Sequence, residues 1–234
     1  MKSKYYLDQT KIYHDKKYRQ KGLNFQRKHP NEDVIRFENK FLKQRSNILD
    51  IGCGTGRNAI FLINKKHKVD CLDFSAQSLH LLKKLFEKKK INFLKNKLFL
   101  DSIPYMKKIN FNYDAIIDCF TSYALIKNDF KIYVSRISKL LKKKGVFHLQ
   151  TFSKNSDLFR RPYPSKIVFK NSINRIKRKT APFYGDEYLF SFYTKKELID
   201  ILKKNFQKIY FEKHSRTYRN GREYVEFFVV DCIK

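Results

Sequence analysis

The stretch Ile48-Leu49-Asp50-Ile51-Gly52-Cys53-Gly54-Thr55-Gly56-Arg57-Asn58 constrains the fold of this chain more than any other. Asn47 to Ile51 is a short apolar run of the length of a buried strand, and it passes straight into three glycines at alternate positions. Asn58-Ala59-Ile60-Phe61-Leu62 then reads as the start of a helix. Glycines between a strand and a helix permit a tight turn and let a ligand approach the backbone without meeting a Cβ. The helix N-terminus that follows offers N–H groups with no partner inside the helix. Together these features describe a nucleotide-cofactor turn.

The dinucleotide version of such a turn is G-x-G-x-x-G, with an acid about 20 positions later for a ribose. Here the last glycine comes one residue early, at Gly56, and Arg57 stands where the third dinucleotide glycine would pack helix against strand. Arginine cannot imitate that packing, which leaves a nicotinamide-dependent oxidoreductase poorly supported. Asp50 lies two residues before the first glycine. An ionised carboxylate there sits badly beside a pyrophosphate and well beside an ammonium or hydroxyl. The turn favours a ligand with a positive group and no phosphates, and S-adenosylmethionine has that chemistry.

ILDIGCGTG resembles the glycine-rich first motif of class I S-adenosylmethionine-dependent methyltransferases. The following RNAIFL is similar to the small-molecule branch of that superfamily, which includes tellurite-resistance-type enzymes. Later stretches resemble the family in order. KVDCLDFS (68–75) looks like its second strand, which implies that Asp73 takes the ribose hydroxyls, with Phe74 beside it. LFLDSIP (98–104) resembles its third, which implies Asp101 on the adenine amino group, next to Ser102. YDAIIDCF (113–120) resembles the fourth, passing beneath the methionine end at Cys119, and GVFHLQTF (145–152) the fifth. The resemblance is specific over roughly residues 46–152. It implies an α/β fold with a doubly wound, seven-stranded, mostly parallel Rossmann-like sheet whose last strand is antiparallel. It also implies a cofactor set of Asp50, Gly52, Cys53, Gly54, Gly56, Asn58, Asp73, Phe74, Asp101, Ser102 and Cys119.

Length agrees with one such domain and its core. Residues 1–45 read as an N-terminal cap segment and helix, and 46–234 as the cofactor-binding domain. No run of about 18 apolar residues is present to span a membrane, and the first residues lack the apolar core of a secretory signal. The cysteines at 53, 71, 119 and 232 form no C-x-x-C pair and read as core thiols of a protein in a reducing cytoplasm. The histidines show no metal spacing.

Net charge is +30, from 52 Lys and Arg against 22 Asp and Glu. Lysine, asparagine, isoleucine, phenylalanine and tyrosine are abundant together, as in an AT-rich coding sequence that spreads lysine over solvated faces. That bias does not account for the shortage of acids, so an acidic partner (RNA, an anionic membrane surface or a phosphorylated small molecule) is the competing reading. The lysine clusters fall at opposite ends of the expected sheet, which favours the first.

After the fifth strand, Thr194-Lys195-Lys196-Glu197 is a capping box opening a helix to about Lys204, and two closing strands follow at 206–212 and 224–231. Residues 153–192 are an insertion of roughly 40 residues, and loops that long are usually functional. It carries Pro162, Pro164 and Pro182, many aromatics, and Arg160, Arg161, Arg175 and Arg178. Arginine grips phosphates and carboxylates in bidentate fashion. The segment reads either as a substrate lid, with Arg160 and Arg161 on an anionic acceptor, or as a basic surface excursion. Upstream, Asn31-Glu32-Asp33 opens a helix preceded by Tyr5, Tyr6, Tyr13 and Tyr18, and Tyr13 is a candidate for facing a sulfonium or holding substrate. A general base has only Tyr123 and His148 as further candidates, and Leu125-Ile126-Lys127 lacks the histidine that many relatives carry after the fourth strand. The sequence also lacks the Asn-Pro-Pro-Tyr pattern of enzymes acting on bases or amides. The expected activity is methyl transfer to a small, anionic acceptor such as a metabolite, sugar or nucleotide-sugar, with an RNA-modifying methyltransferase as the alternative.

Overall fold

The computed structural model describes residues 2–26, 28–92, 95–161, 166–169, 172–174, 189–218 and 220–234, with the backbone alone for 2–3, 166–169 and 172–174. Helix α1 (Lys2–Lys21) leads through a 3-10 turn (Gly22–Phe25) to α2 (Glu32–Phe41). The sheet then begins with β1 (Asn47–Ile51), α3 (Arg57–Asn64), β2 (Lys68–Asp73), α4 (Ala76–Lys88) and β3 (Leu98–Leu100). It continues through β4 (Tyr113–Cys119), a 3-10 turn (Ser122–Ala124), α5 (Lys127–Leu140) and β5 (Leu141–Ser153). After α6 (Asp157–Arg160) come β6 (Lys166–Phe169), β7 (Ser172–Asn174) and β8 (Phe190–Tyr193). Helix α7 (Lys195–Leu202) and strands β9 (Lys208–Tyr218) and β10 (Glu223–Ile233) close the chain.

Strands β3, β2, β1, β4 and β5 lie side by side and parallel; β10 runs antiparallel between β5 and β9. This is the expected seven-stranded sheet with an antiparallel last strand. Three further strands extend it. β5 is 13 residues long and outruns β4, whose pairing stops at Cys119↔Gln150. The edge so exposed takes β8 in parallel at Phe152↔Phe192 and Ser153↔Tyr193, and β7 and β6 add antiparallel beyond it. The described parts of the 153–192 insertion therefore include three strands. Arg175, Arg178, Pro162, Pro164 and Pro182 lie outside the described residues.

The run in β1 is apolar on consecutive residues because both sheet faces are covered. Leu49 and Ile51 face one layer with Ile116, Phe147 and Leu149, packed by Tyr133, Ile137, Leu198 and Leu202 of α5 and α7. Ile48 faces the other with Val69, Cys71 and Ile117, against Phe37, Leu62, Leu82 and Phe86 of α2, α3 and α4. The helix starts follow local chemistry: Asn31 and Ser75 accept from the N–H groups of Asp33 and Ser78, and Thr194 with Glu197 forms the expected capping box. All four cysteines are free; Cys53, Cys71 and Cys232 are buried and Cys119 is half-buried. Among the described residues no helix is long and apolar enough to cross a membrane.

Phe147 is fully buried on the central strand, its ring 5.9 Å from that of Phe206 and 6.2 Å from that of Tyr133. Phe147→Ala should cost about 3–5 kcal/mol, a large share of the roughly 5–15 kcal/mol that holds a domain folded. Ile132→Ala, at an exposed position of α5, should stay within about 0.5 kcal/mol. Urea titration of both variants checks the contrast.

Candidate active site

The three glycines all take the left-handed conformation, Gly52 at φ +65°, Gly54 at +56° and Gly56 at +82°. Space forbids a side chain as well: a Cβ on Gly52 would collide with Thr121, one on Gly54 with the amide of Gln26, and one on Gly56 with Leu82. The turn is laced to its neighbour strand. Gly52 N–H and Cys53 N–H donate to Leu72 O, at 2.7 and 3.1 Å, and Gly54 N–H donates to Asp73 Oδ2 at 2.9 Å. Thr55 N–H and its hydroxyl both donate to Gln26 Oε1, at 3.0 and 3.1 Å, and Gly56 N–H donates to Cys53 O. Every backbone N–H from Gly52 to Gly56 thus has a partner within the protein.

Asp73 ends β2, buried, and its other oxygen accepts the Ser75 N–H at 2.8 Å. Each carboxylate oxygen retains a lone pair for a further donor. Next to it, Asp101 N–H donates to Asp73 O at 3.2 Å. The Asp101 carboxylate is oriented by the N–H groups of Ser102 (2.8 Å) and Lys108 (2.7 Å). Across the turn, buried Asp118 organises the end of β4: it accepts from Thr121 N–H (2.8 Å), Ser122 N–H (3.2 Å) and the Tyr133 hydroxyl (2.9 Å). Between Asp118 and Thr121 the backbone reverses at Phe120, at φ +58°.

These strand ends open into a cavity of about 810 Å³, walled by Gly52, Asp73, Phe74, Asp101, Ser102 and Cys119 among the expected cofactor residues. Helix α1 roofs it with a stripe of Lys4, Leu7, Asp8, Lys11, His14 and Tyr18 at helical spacing, of which Lys4, Asp8 and Lys11 are exposed to solvent as well. Asp15 Oδ1 fastens that helix to the start of α4 by accepting the Ser75 hydroxyl at 2.5 Å. Tyr18 is buried with its ring 4.8 Å from that of Phe25, and Gln26 Nε2 donates to its hydroxyl at 2.7 Å.

The remaining expected site residues fall in different places. Asp50, Cys53, Gly54, Gly56 and Asn58 lie off the cavity wall. Asp50 is buried, and its Oδ2 has no hydrogen-bond partner within the protein. Asn58 is turned the other way, with Oδ1 accepting the Asn31 N–H at 2.9 Å and so anchoring the start of α2. Tyr123 is on the wall, stacked 4.6 Å from Phe190. Tyr13 is off the wall and packs at the edge of the aromatic cluster around Phe152 and Phe227, with Lys17 over its ring. His148 is no cavity residue: it is fully buried on the α2 face of β5, its Nδ1 2.7 Å from Asp231 Oδ1 and its ring 4.9 Å from Phe37. In-sheet pairing with β10 set that position, which a strand pattern alone cannot show. Arg160 and Arg161 end α6, exposed and off the wall, Arg161 Nε lying 3.6 Å from Asp157. Gln26 and His14 had no sequence signal, since neither belongs to a motif and each acts through a helix that precedes the sheet.

Residues 49–147 match a family model described as a methyltransferase domain. An uncharacterized methyltransferase of Schizosaccharomyces pombe is 25% identical over 122 residues, covering 51% of this chain and 81% of the yeast protein. A SAM-dependent methyltransferase from Methanosarcina mazei superposes with a TM-score of 0.68 at 19% identity, over 87% of this chain and 98% of that one. The 1,6-didemethyltoxoflavin-N1-methyltransferase of Burkholderia thailandensis, with bound 1,6-didemethyltoxoflavin and S-adenosylhomocysteine, superposes with a TM-score of 0.59 at 14% identity, over 98% of this chain and 83% of that one. With the glycine turn and sheet order already described, residues 49–147 match a methyltransferase domain, and the whole chain has the fold of the solved SAM-dependent methyltransferases. The matched domain is that of a methyltransferase, and the fold is the one on which the Burkholderia enzyme holds S-adenosylhomocysteine.

The carboxyls around the turn titrate unusually. Burial raises Asp50 to about 8, with Arg57 opposing and the Asp73 and Asp118 charges adding. Burial raises Asp73 to about 6, against hydrogen bonds from Ser75 and Gly54. Burial lowers His14 to about 4, with Asp15 opposing. A carboxyl raised by folding contributes stability while protonated and loses it as pH rises through the folded value; a depressed histidine loses its contribution as pH falls. His14 and Asp73 finish titrating before Asp50 does. Stability of the cofactor-free protein should therefore fall as pH rises from about 7 to about 8, and Asp50→Asn should flatten that fall. Denaturant midpoints of both proteins across that range check it.

Proposed function

We propose that the enzyme methylates a small acceptor carrying an anionic group, bound beneath α1. The observation that carries this reading is the roofed cavity with Lys4 and Lys11 on the same stripe of α1 as Leu7 and Tyr18. Its volume of about 810 Å³ is at the upper end of the roughly 300–1,000 Å³ of small-molecule pockets. That is room for a cofactor and a compact partner, not for a stacked or paired nucleic acid. Lys107 and Lys108 line the wall as well, and Asp8, Asp73, Asp101 and Asp129 oppose them, so the wall carries both signs with Lys4 and Lys11 on its roof.

The proposed cofactor seat runs along the strand ends. Asp73 takes the ribose hydroxyls on its free lone pairs, and Asp101, fixed by two backbone N–H groups, takes the adenine amino group. Phe74, Ser102 and Cys119 line the adenosine path. Asp50, with an unpartnered buried oxygen below the turn, suits the positive charge of the methionine end. S-adenosylmethionine supplies an electrophilic methyl on a sulfonium; the protein aligns the acceptor with it and excludes water. α1 provides the exclusion. Tyr123 and Phe120 offer faces for the acceptor body, and the wall residue closest to a proton acceptor is His14, whose imidazole burial keeps neutral. Burial holds the Tyr18 phenol well above its ordinary range, so it stays protonated and serves as a hydrogen-bonding group.

Labelled cofactor incubated with the enzyme and size-fractionated host extract should transfer label to the small-molecule fraction; label confined to RNA and retained at physiological salt would replace this reading with RNA modification. Asp73→Ala should weaken S-adenosylmethionine binding about ten- to a hundredfold, the equivalent of a charge-assisted hydrogen bond of about 1.5–3 kcal/mol. Lys4→Ala with Lys11→Ala should leave cofactor affinity within about twofold and cut kcat/KM on an anionic acceptor about tenfold or more. The pair Arg160→Ala and Arg161→Ala serves as the comparison, expected to change neither.

A further inference from the structure

Gln26 occupies a position that neither the resemblance nor the cavity explains. Its amide lies directly over Gly54, so close that a single added carbon on Gly54 would collide with it. Gln26 Oε1 accepts both the Thr55 N–H and the Thr55 hydroxyl, and Gln26 Nε2 donates to the Tyr18 hydroxyl. The other donors of the turn are held by groups that do not move independently of the sheet: Leu72 O, Cys53 O, and an Asp73 carboxylate also tied to Ser75. Thr55 alone is capped from outside. The cavity wall shows the consequence, since it includes the acids Asp73 and Asp101 but excludes Gly54, which lies under Gln26.

Resting on the methyltransferase reading, we propose that Gln26 is an internal gate on the cofactor seat, a side chain that occupies the methionine end in the empty enzyme and leaves when cofactor binds. The adenosine half meets an open wall; a cofactor carboxylate can reach an N–H of the turn only at Thr55, and only after Gln26 has gone. The local backbone suits a swing confined to this segment. Gly22 sits at φ +54° with nothing within 4 Å of where a Cβ would be, so it is required there for conformation and not for space. Upstream of it, α1 is held independently by Asp15 on Ser75. The segment from Gly22 to Gln26 can therefore turn while the roof stays in place. A gate of this kind lowers apparent affinity by the fraction of molecules in which it stands open.

The test is calorimetric titration of S-adenosylmethionine and S-adenosylhomocysteine into wild type, Gln26→Ala and Tyr18→Phe, each checked for folding by thermal unfolding. Removing the gate should tighten binding about three- to tenfold in Gln26→Ala. Tyr18→Phe keeps the ring against Phe25 and removes only the hydroxyl that Gln26 donates to, so it should shift affinity in the same direction by less. Association rates from stopped-flow should rise in both. Gln26→Ala binding equally well or more weakly than wild type overturns the gate while leaving the cofactor assignment standing. Failure of wild type and both variants to bind either compound removes the methyltransferase reading itself, and the gate with it.

Discussion

The site depends on one hydrogen bond, from Gly54 N–H to Asp73. It joins the turn after β1 to the end of β2, and the same carboxylate accepts from Ser75, the residue that caps α4. One buried acid therefore fixes a glycine loop, a strand end and a helix start relative to each other. Burying such a charge is costly unless its lone pairs are satisfied, and here two backbone N–H groups do most of that. The result is a rigid edge from which ligand groups can be addressed without reorganisation.

Asp118 plays the matching role on the next strand. It gathers two backbone N–H groups and a tyrosine hydroxyl, and so holds Thr121 where its hydroxyl donates to Ile51 O at 3.0 Å. A third polar knot ties the opposite layer: Gln150 of β5 exchanges hydrogen bonds with Asn31 and donates to Asp33, while Asn58 receives the Asn31 N–H. Each knot links a residue before the sheet or at a strand end to one far away in sequence. The cavity's shape follows from these long-range bonds more than from any one motif.

That distribution explains what could be read in advance. The glycine turn and the capping box at Thr194 were legible because each depends on neighbours a few residues away, and the strand order followed from the family resemblance. His148 was not, because its surroundings are set by Asp231, 83 residues later. Asn58 looked like a cofactor contact from its place after the glycines, and the partner that turned it away is 27 residues upstream. Helix α1 is rich in lysine, so the stripe that lines the cavity was masked by lysines that line it too. The arginines at 160 and 161 misled for a simpler reason: a basic pair at a strand end says nothing about which way a short helix will carry it.

The extra length of β5 has an evolutionary reading. Because β8 hangs on a stretch of β5 that β4 never reaches, the described strands β6, β7 and β8 join the sheet beyond the pairing of β5 with β4. They can be lengthened, shortened or replaced without disturbing a single hydrogen bond between β1, β2 and β4. A lineage built this way can vary that flank of the sheet while the strands that carry the glycine turn keep their register.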